Sequence, residues 1–219
     1  MKFEVLDKGQ IRQIYQTMLV HDFPADEVKP LENILQRVKE RQYICFGLLD
    51  DLKVISYAFI SFGENTDAAL LDYLAVYEPY RGKGFGSRML TEVQKYFGFV
   101  KNKKVMIIEA ESIESAKDLK ATRTRENRIR FYKKNGLYED KVNKPVICGV
   151  EYTLLYLEFP KYNIKVDEDA PDNLILVAEE SVNTSPEKTY MKEYQRIYKT
   201  LVGEENYSKL VNLSNCPDV

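Results

Sequence analysis

The stretch Arg81-Gly82-Lys83-Gly84-Phe85-Gly86-Ser87 concentrates residue types able to do chemistry. Gly82, Gly84 and Gly86 let a ligand approach the main chain closely, because no Cβ stands in the way. A run of main-chain N–H groups entering a helix points unpaired donors and the helix dipole at one place, which makes an anion site. The Arg81 guanidinium adds charge-assisted hydrogen bonds to phosphate oxygens. The spacing therefore predicts a cradle for a diphosphate. Two other phosphate motifs fail here: a Walker loop needs Gly-Lys-Ser/Thr after four spacers, and the dinucleotide fingerprint needs its third glycine one residue beyond Gly86.

Such a turn has to sit between a strand that delivers the chain and a helix that carries it away. Ala68 to Val76 reads as the strand, Glu78-Pro79 punctuates, and from Ser87 the positions Met89, Leu90, Val93, Tyr96 and Phe97 form a helical stripe. Upstream, Ile11, Ile14, Tyr15, Met18 and Leu19 predict a helix broken at Pro24, and a second helix begins near Pro30. Tyr43 to Leu49 and Val54 to Phe62 predict a hairpin turning at Asp50-Asp51. Downstream, Val105 to Ala110 is a strand with Glu109 at its end. Residues 111–126 are charged and aperiodic, which suits a loop or partly helical insertion. Asn127 to Lys134 is a helix stopped by Asn135-Gly136, and Val146 to Phe159 is one long closing strand.

This order gives an α/β chain of the α+β kind, a mixed sheet with helices on its faces. Residues 160–184 are polar and poorly patterned, whereas 186–213 regain helical spacing through Tyr190, Tyr194, Ile197, Tyr198 and Leu201, a helical appendage. Tyrosines at i, i+4 and i+8 cover one surface and read as packing.

At 219 residues the chain suits one main domain with an extension. The 44% hydrophobic and 30% charged balance argues against global disorder, and a net charge of −2 with interspersed signs offers no field for nucleic acid. Cys45, Cys148 and Cys216 lack CxxC spacing and read as reduced, buried thiols. The single histidine, His21, makes a histidine-based metal site or a Ser-His-Asp triad a poor fit, and no metal is expected. No window holds 18 consecutive apolar residues, and Met1-Lys2-Phe3-Glu4 lacks a leader's apolar stretch, so neither membrane nor export is expected and the cytoplasm is.

With Arg81, Gly84 and Gly86 as Q/R-x-x-G-x-G/A between the strand Leu70–Val76 and a helix, and with a later Asn127-Arg-Ile-Arg-Phe-Tyr-Lys-Lys-Asn-Gly-Leu137, the chain resembles the GCN5-related N-acetyltransferase (GNAT) family. The resemblance covers roughly residues 1–159, an acetyl-CoA-binding domain with a twisted, mostly antiparallel sheet, and leaves 160–219 as the extension. It implies acetyl-CoA as co-substrate and direct transfer of its acetyl group to an amine. The main chain of Leu74, Ala75 and Val76 would pair with the pantetheine amides. The amides of Gly82, Lys83, Gly84, Phe85, Gly86 and Ser87 would hold the diphosphate. Asn127 matches a cofactor-contacting position, and Tyr132 matches the tyrosine near the sulfur. Glu109 matches the glutamate that acts as base in some members, often through water. Glu111, two residues on and on the same side of the strand, competes with it, as does ordered water with no single base.

The resemblance implies a small-molecule or peptide amine as acceptor. In the family the segment joining the first two helices lines its entrance. Here His21-Asp22-Phe23-Pro24-Ala25-Asp26-Glu27 carries three acids that suit a cation, though a capped, solvated helix entry explains them equally. The basic run Lys117, Lys120, Arg123, Arg125, Arg128 and Arg130 reads as a solvated helix face, or else as a partner for the cofactor's 3'-phosphate. A non-catalytic acyl-CoA sensor or an interaction module on the same fold stands as the alternative. The extension either closes a groove or docks on a second copy of the chain, which leaves a homodimer open.

Overall fold

Two polar residues start the first helix of the computed structural model, which describes residues 1–25, 27–166, 174–178, 190–203, 206–207 and 211–212. The Asp7 carboxylate accepts the Gln10 N–H and the Gln10 side-chain oxygen accepts the Asp7 N–H, both at 2.8 Å, so two donors orphaned by the helix start are satisfied reciprocally. Helix α1 (Lys8–Ile14) runs through a π-helical stretch (Tyr15–Leu19) into a last turn, α2 (Val20–Asp22), and stops ahead of Pro24. Helix α3 (Leu31–Lys39) follows Pro30. Their apolar stripes bury Ile11, Ile14, Leu19, Ile34 and Leu35, each worth roughly 1.5–3 kcal/mol of removal from water.

Those stripes belong to the first of two compact units, residues 1–65 with 70–93. Its strands β1 (Lys2–Val5), β2 (Tyr43–Asp50), β3 (Lys53–Phe62) and β4 (Ala68–Val76) lie in the order β1-β2-β3-β4. β1 pairs antiparallel with β2, and β2 with β3 around a turn whose Asp51 has φ 52°. Tyr43, Tyr57, Phe59 and Tyr73 of the sheet meet the helical stripes in one cluster, with the Phe59 and Tyr73 rings edge to face at 6.1 Å. A short 3-10 turn (Glu78–Tyr80) containing Pro79 leads to helix α4 (Phe85–Lys95).

The second unit, residues 66–69 with 94–219, is built on β5 (Val105–Glu111). Helix α5 (Leu119–Lys134) begins eight residues earlier than the expected Asn127, because the Asp118 carboxylate caps it by accepting the Ala121 N–H at 2.7 Å. It closes at Gly136, φ +86°, as the Asn135-Gly136 pair predicts. The expected single strand from Val146 to Phe159 is instead a hairpin. After the two-residue strand β6 (Tyr138–Glu139), β7 (Val146–Ile147) turns back through Cys148 (φ 49°) and Gly149 (φ 81°) into β8 (Val150–Glu158). Two consecutive positive φ values make a tight turn whose twist suits the strands. Cys148 is therefore exposed at a turn tip rather than buried, whereas Cys45 is buried as expected.

β8 pairs antiparallel with β5, setting Glu109 opposite Leu154, and also with β6 and β7. Beyond residue 160 come an antiparallel ribbon of β9 (Tyr162–Val166) and β10 (Leu174–Ala178), helix α6 (Met191–Val202) and a short β11 (Val211–Asn212) paired with β7. Of the stretch 186–213 expected to be helical, α6 is a helix, β11 is a strand, and residues 186–189, 204–205, 208–210 and 213 lie outside the described residues. The predicted class, a mostly antiparallel sheet flanked by helices, is the observed one. Among the described residues no helix is long and apolar enough to cross a membrane.

Candidate functional site

At the end of β4 the main chain alternates between two neighbours. Tyr77 donates its N–H to Ile55 C=O at 2.8 Å, and Ala75 C=O accepts Ser56 Oγ at 2.9 Å. Residues 75 and 77 therefore face β3, and the alternation of a strand turns the main-chain groups of Leu74 and Val76 the other way. Val76 C=O is taken by Arg81, whose Nε donates to it at 2.9 Å. The other end of the Arg81 fork, Nη2, donates to Asp22 Oδ1 at 3.1 Å, and Asp22 Oδ2 accepts Tyr57 OH at 3.0 Å. Arg81 thus braces the start of the turn with its side chain.

The turn itself is open. Gly82 and Gly84 adopt φ +75° and +83°, and a Cβ built on either meets nothing within 4 Å. Among the described residues no main-chain partner is found for the N–H groups of Gly82, Lys83, Gly84, Phe85, Gly86 and Ser87, while Arg88 N–H closes the first helical bond to Gly84 C=O at 3.0 Å. Consecutive N–H donors thus stand at the start of an 11-residue helix, with residues 82–84 exposed, at the place where the glycine spacing predicts an anion seat. An aromatic edge flanks it: the Tyr80 and Phe85 rings lie 5.9 Å apart, and Lys83 Nζ stands 5.5 Å from the Tyr80 ring centre.

In the second unit, Glu109 and Glu111 are the only half-exposed positions of β5, on the same side of the strand. Glu111 is held in an ion pair with Arg125 (Nη2 to Oε1, 2.6 Å), and Arg125 also donates to Ser112 C=O at 2.6 Å and Ser115 Oγ at 2.9 Å. Arg125 is therefore a structural member of the basic run, not a solvated one. Glu109 Oε1 accepts two phenols of α6, Tyr194 OH at 2.6 Å and Tyr198 OH at 2.7 Å. The tyrosine stripe read as packing does pack, since Tyr194 is fully buried, but its hydroxyls also converge on a candidate base.

Tyr132 is buried on α5, and burial pushes its phenol up to about 12, with Arg128 pulling the other way. It is a neutral O–H donor at physiological pH. Asn127 is exposed one turn earlier, its Oδ1 accepting Arg130 Nη1 at 3.1 Å. In the acidic segment after α2, Asp22 is committed to Arg81 and Tyr57, Glu27 C=O accepts Tyr73 OH at 2.8 Å, and Asp26 lies outside the described residues.

Residues 41–137 match a family model described as an acetyltransferase (GNAT) domain. That segment is similar to a GNAT domain. Solved structures with a similar fold include the ribosomal-protein-S18-alanine N-acetyltransferase of Escherichia coli (15% identity, 72% of this chain and 93% of that one, TM-score 0.54). A putative GNAT acetyltransferase of Bacteroides thetaiotaomicron aligns at 17% identity over 77% of this chain and 91% of its own, TM-score 0.54. A third is the spermidine N-acetyltransferase of Vibrio cholerae in complex with CoA and spermine (11%, 72% and 95%, TM-score 0.54). No curated protein matches the chain by sequence.

The GNAT match encloses the glycine turn, Glu109, Asn127 and Tyr132, and ends well before α6. Sequence reasoning missed the contact of Tyr194 and Tyr198 with Glu109, which spans 85 and 89 positions of the chain. The available signal was their i, i+4 spacing, which sets two hydroxyls side by side on one helix face.

Proposed function

We propose that this GNAT domain transfers an acetyl group from acetyl-CoA to a primary amine by direct attack within a ternary complex. The observation that carries the reading is the open row of N–H donors at residues 82–87, entering α4 with two glycines at positive φ. Those donors would hold the cofactor's diphosphate, with Lys83 adding charge. The outward main-chain groups of Leu74 and the N–H of Val76 would pair with pantetheine as an added strand does, Ala75 lying between them, Val76 C=O staying with Arg81, and Asn127 would contact the cofactor.

An alkylammonium near pKa 10.4 is neutral in roughly one molecule in 2,500 at pH 7, so the acceptor must lose a proton before its nitrogen attacks the thioester carbon. Glu109, directly or through one water, takes that proton. As the C–N bond forms and the C–S bond breaks, a main-chain N–H near Val76 stabilises the oxyanion, worth a few kcal/mol. Tyr132 donates its hydrogen bond to the departing sulfur. With its phenol up at about 12 against a thiol near 8.5, complete proton transfer to the thiolate is uphill by ~5 kcal/mol. Tyr132 therefore acts as a donor that steadies the thiolate, and the proton that finally neutralises it arrives from the acceptor by way of solvent. The reading sets the enzyme in the cytoplasm, in keeping with free thiols at Cys45 and Cys148.

A thermal-shift titration with CoA and acetyl-CoA tests the first step, and free-thiol release with an amine panel tests the second. The panel begins with spermidine and spermine and with alanine-bearing peptides, after the spermidine and ribosomal-protein-S18-alanine named for two of the structural neighbours. CoA-dependent stabilisation with thiol release supports the reading. Stabilisation without release from any amine points to an acyl-CoA sensor, and no stabilisation overturns the cofactor assignment.

A further inference from the structure

We infer that α6 is part of the catalytic apparatus, with Tyr194 and Tyr198 acting as positioning residues that clamp the Glu109 carboxylate; this rests on the reading of Glu109 as the proton acceptor. Both phenols reach the same oxygen, Oε1, at 2.6 and 2.7 Å, the short range of O–H donors on an ionised carboxylate. An ionised Glu109, the form a proton acceptor must have, only accepts, so both hydroxyls then donate to it. They hold Glu109 in one rotamer and favour its charged form.

The clamp is rigid because its own support is rigid. The Tyr194 and Tyr198 rings lie 4.9 Å apart, one helical turn from each other, and Tyr194 is completely buried. The same helix is tied down at two more carboxylates: Tyr190 OH donates to Glu158 Oε1 at 2.7 Å on β8, and Glu193 Oε2 accepts the Asp67 N–H at 2.8 Å. Among the described neighbours of Glu109, Leu154 opposite it on β8 does not titrate, and Glu111, two residues on, is held by Arg125 of α5. On β5 itself Glu109 is half-exposed, so the clamp leaves part of the residue at the surface. Burial first, and then the charge of Glu109, hold the Tyr194 phenol well above its ordinary range, which keeps it a donor across all physiological pH.

A packing helix would tolerate loss of both hydroxyls, because phenylalanine keeps the rings. The test compares wild type with Tyr194→Phe, Tyr198→Phe and the double variant, and uses Tyr190→Phe as the control that loosens α6 at Glu158 instead. For the double variant the expected result is CoA-induced stabilisation like wild type, kcat/KM with the best panel amine lower by about 10- to 100-fold, and an acidic limb of the pH–rate profile moved to higher pH. Tyr190→Phe leaves that limb in place. Carbon-13 NMR of glutamate-labelled protein, with the Glu109 signal assigned by its loss in Glu109→Gln, reads the clamp without any turnover: Glu109 titrates at higher pH in the double variant. An unmoved Glu109 titration, or an unmoved acidic limb with wild-type kcat/KM, overturns the proposal. Failure of the wild type to acetylate any amine instead strikes the functional reading, while the NMR titration still decides whether the clamp exists.

Discussion

Arg81 Nη2 donates to Asp22 Oδ1 at 3.1 Å, which joins the first residue of the glycine turn to the last residue of α2. The guanidinium is 56% exposed and the carboxylate side chain 17%, so solvent screens the pair and its own worth is about 0–1 kcal/mol. Asp22 has a second duty, accepting the hydroxyl of buried Tyr57. Asp22→Ala should therefore cost about 1–3 kcal/mol, because it orphans that hydroxyl, whereas Arg81→Ala should cost under about 1. Urea unfolding of the two variants checks the ordering; equal costs would mean that Tyr57 finds another partner.

Gly84 meets no steric obstacle to a side chain, but its φ of +83° is a conformation that L residues avoid. Gly84→Ala should lose about 1–2 kcal/mol of stability or, by rotating out of the left-handed region, turn its N–H away from the cradle. Gly84→Asn should do less harm, since asparagine visits that region more readily. The expected ranking of CoA-induced stabilisation is wild type, then Asn, then Ala, read by thermal shift. Equal stabilisation in all three removes the turn from the cofactor site.

Tyr132→Phe separates catalysis from folding. Turnover with a working amine should fall by roughly 10- to 100-fold, while stability at pH 7 stays within about 0.5 kcal/mol, because the rings pack alike. Alkaline behaviour gives a second reading. Burial raises the folded phenol to about 12 above its ordinary 10, so its contribution is fully present below pH 10. It is lost as pH climbs from 10 through 12, where the unfolded chain ionises first. Urea midpoints across that window should decline less steeply in Tyr132→Phe than in wild type; parallel curves would remove Tyr132 from the alkaline loss.

The two described thiols should separate by reactivity. Cys148 is exposed at a turn tip, and Cys45 is buried, with burial first and Asp72 second raising its thiol well above the ordinary range. Native alkylation should modify Cys148 quickly and leave Cys45 intact until the protein unfolds. Cys148→Asn should stabilise by up to ~1 kcal/mol, since φ 49° suits asparagine better than cysteine. Rapid native labelling of Cys45 would contradict its burial.

The strand and helix flanking the glycine turn were legible because their apolar periods are clear and Glu78-Pro79 and the glycines, two of them at positive φ, separate them. Helices α1 and α3 and the first hairpin were legible through period alone. The start of α5 was not. Residues 119–126 carry no apolar stripe, and what makes them helical is the Asp118 cap and the attachment of Arg125 to Glu111, Ser112 and Ser115. Likewise the apolar run from Val146 hid a hairpin, because Cys148 in a left-handed conformation breaks the usual turn chemistry and only Gly149 announces it. The Glu109 partners were beyond a local reading altogether, since they lie 85 and 89 residues away along the chain.

That distance orders events in time. A ribosome that has just released Glu109 must still add Tyr194 and Tyr198 before the carboxylate meets either hydroxyl. The sheet strand that carries the glutamate can form early in synthesis, yet its final electrostatic setting waits for α6. A chain cut short before residue 194 would thus keep every residue of the matched family segment and still leave its glutamate unclasped.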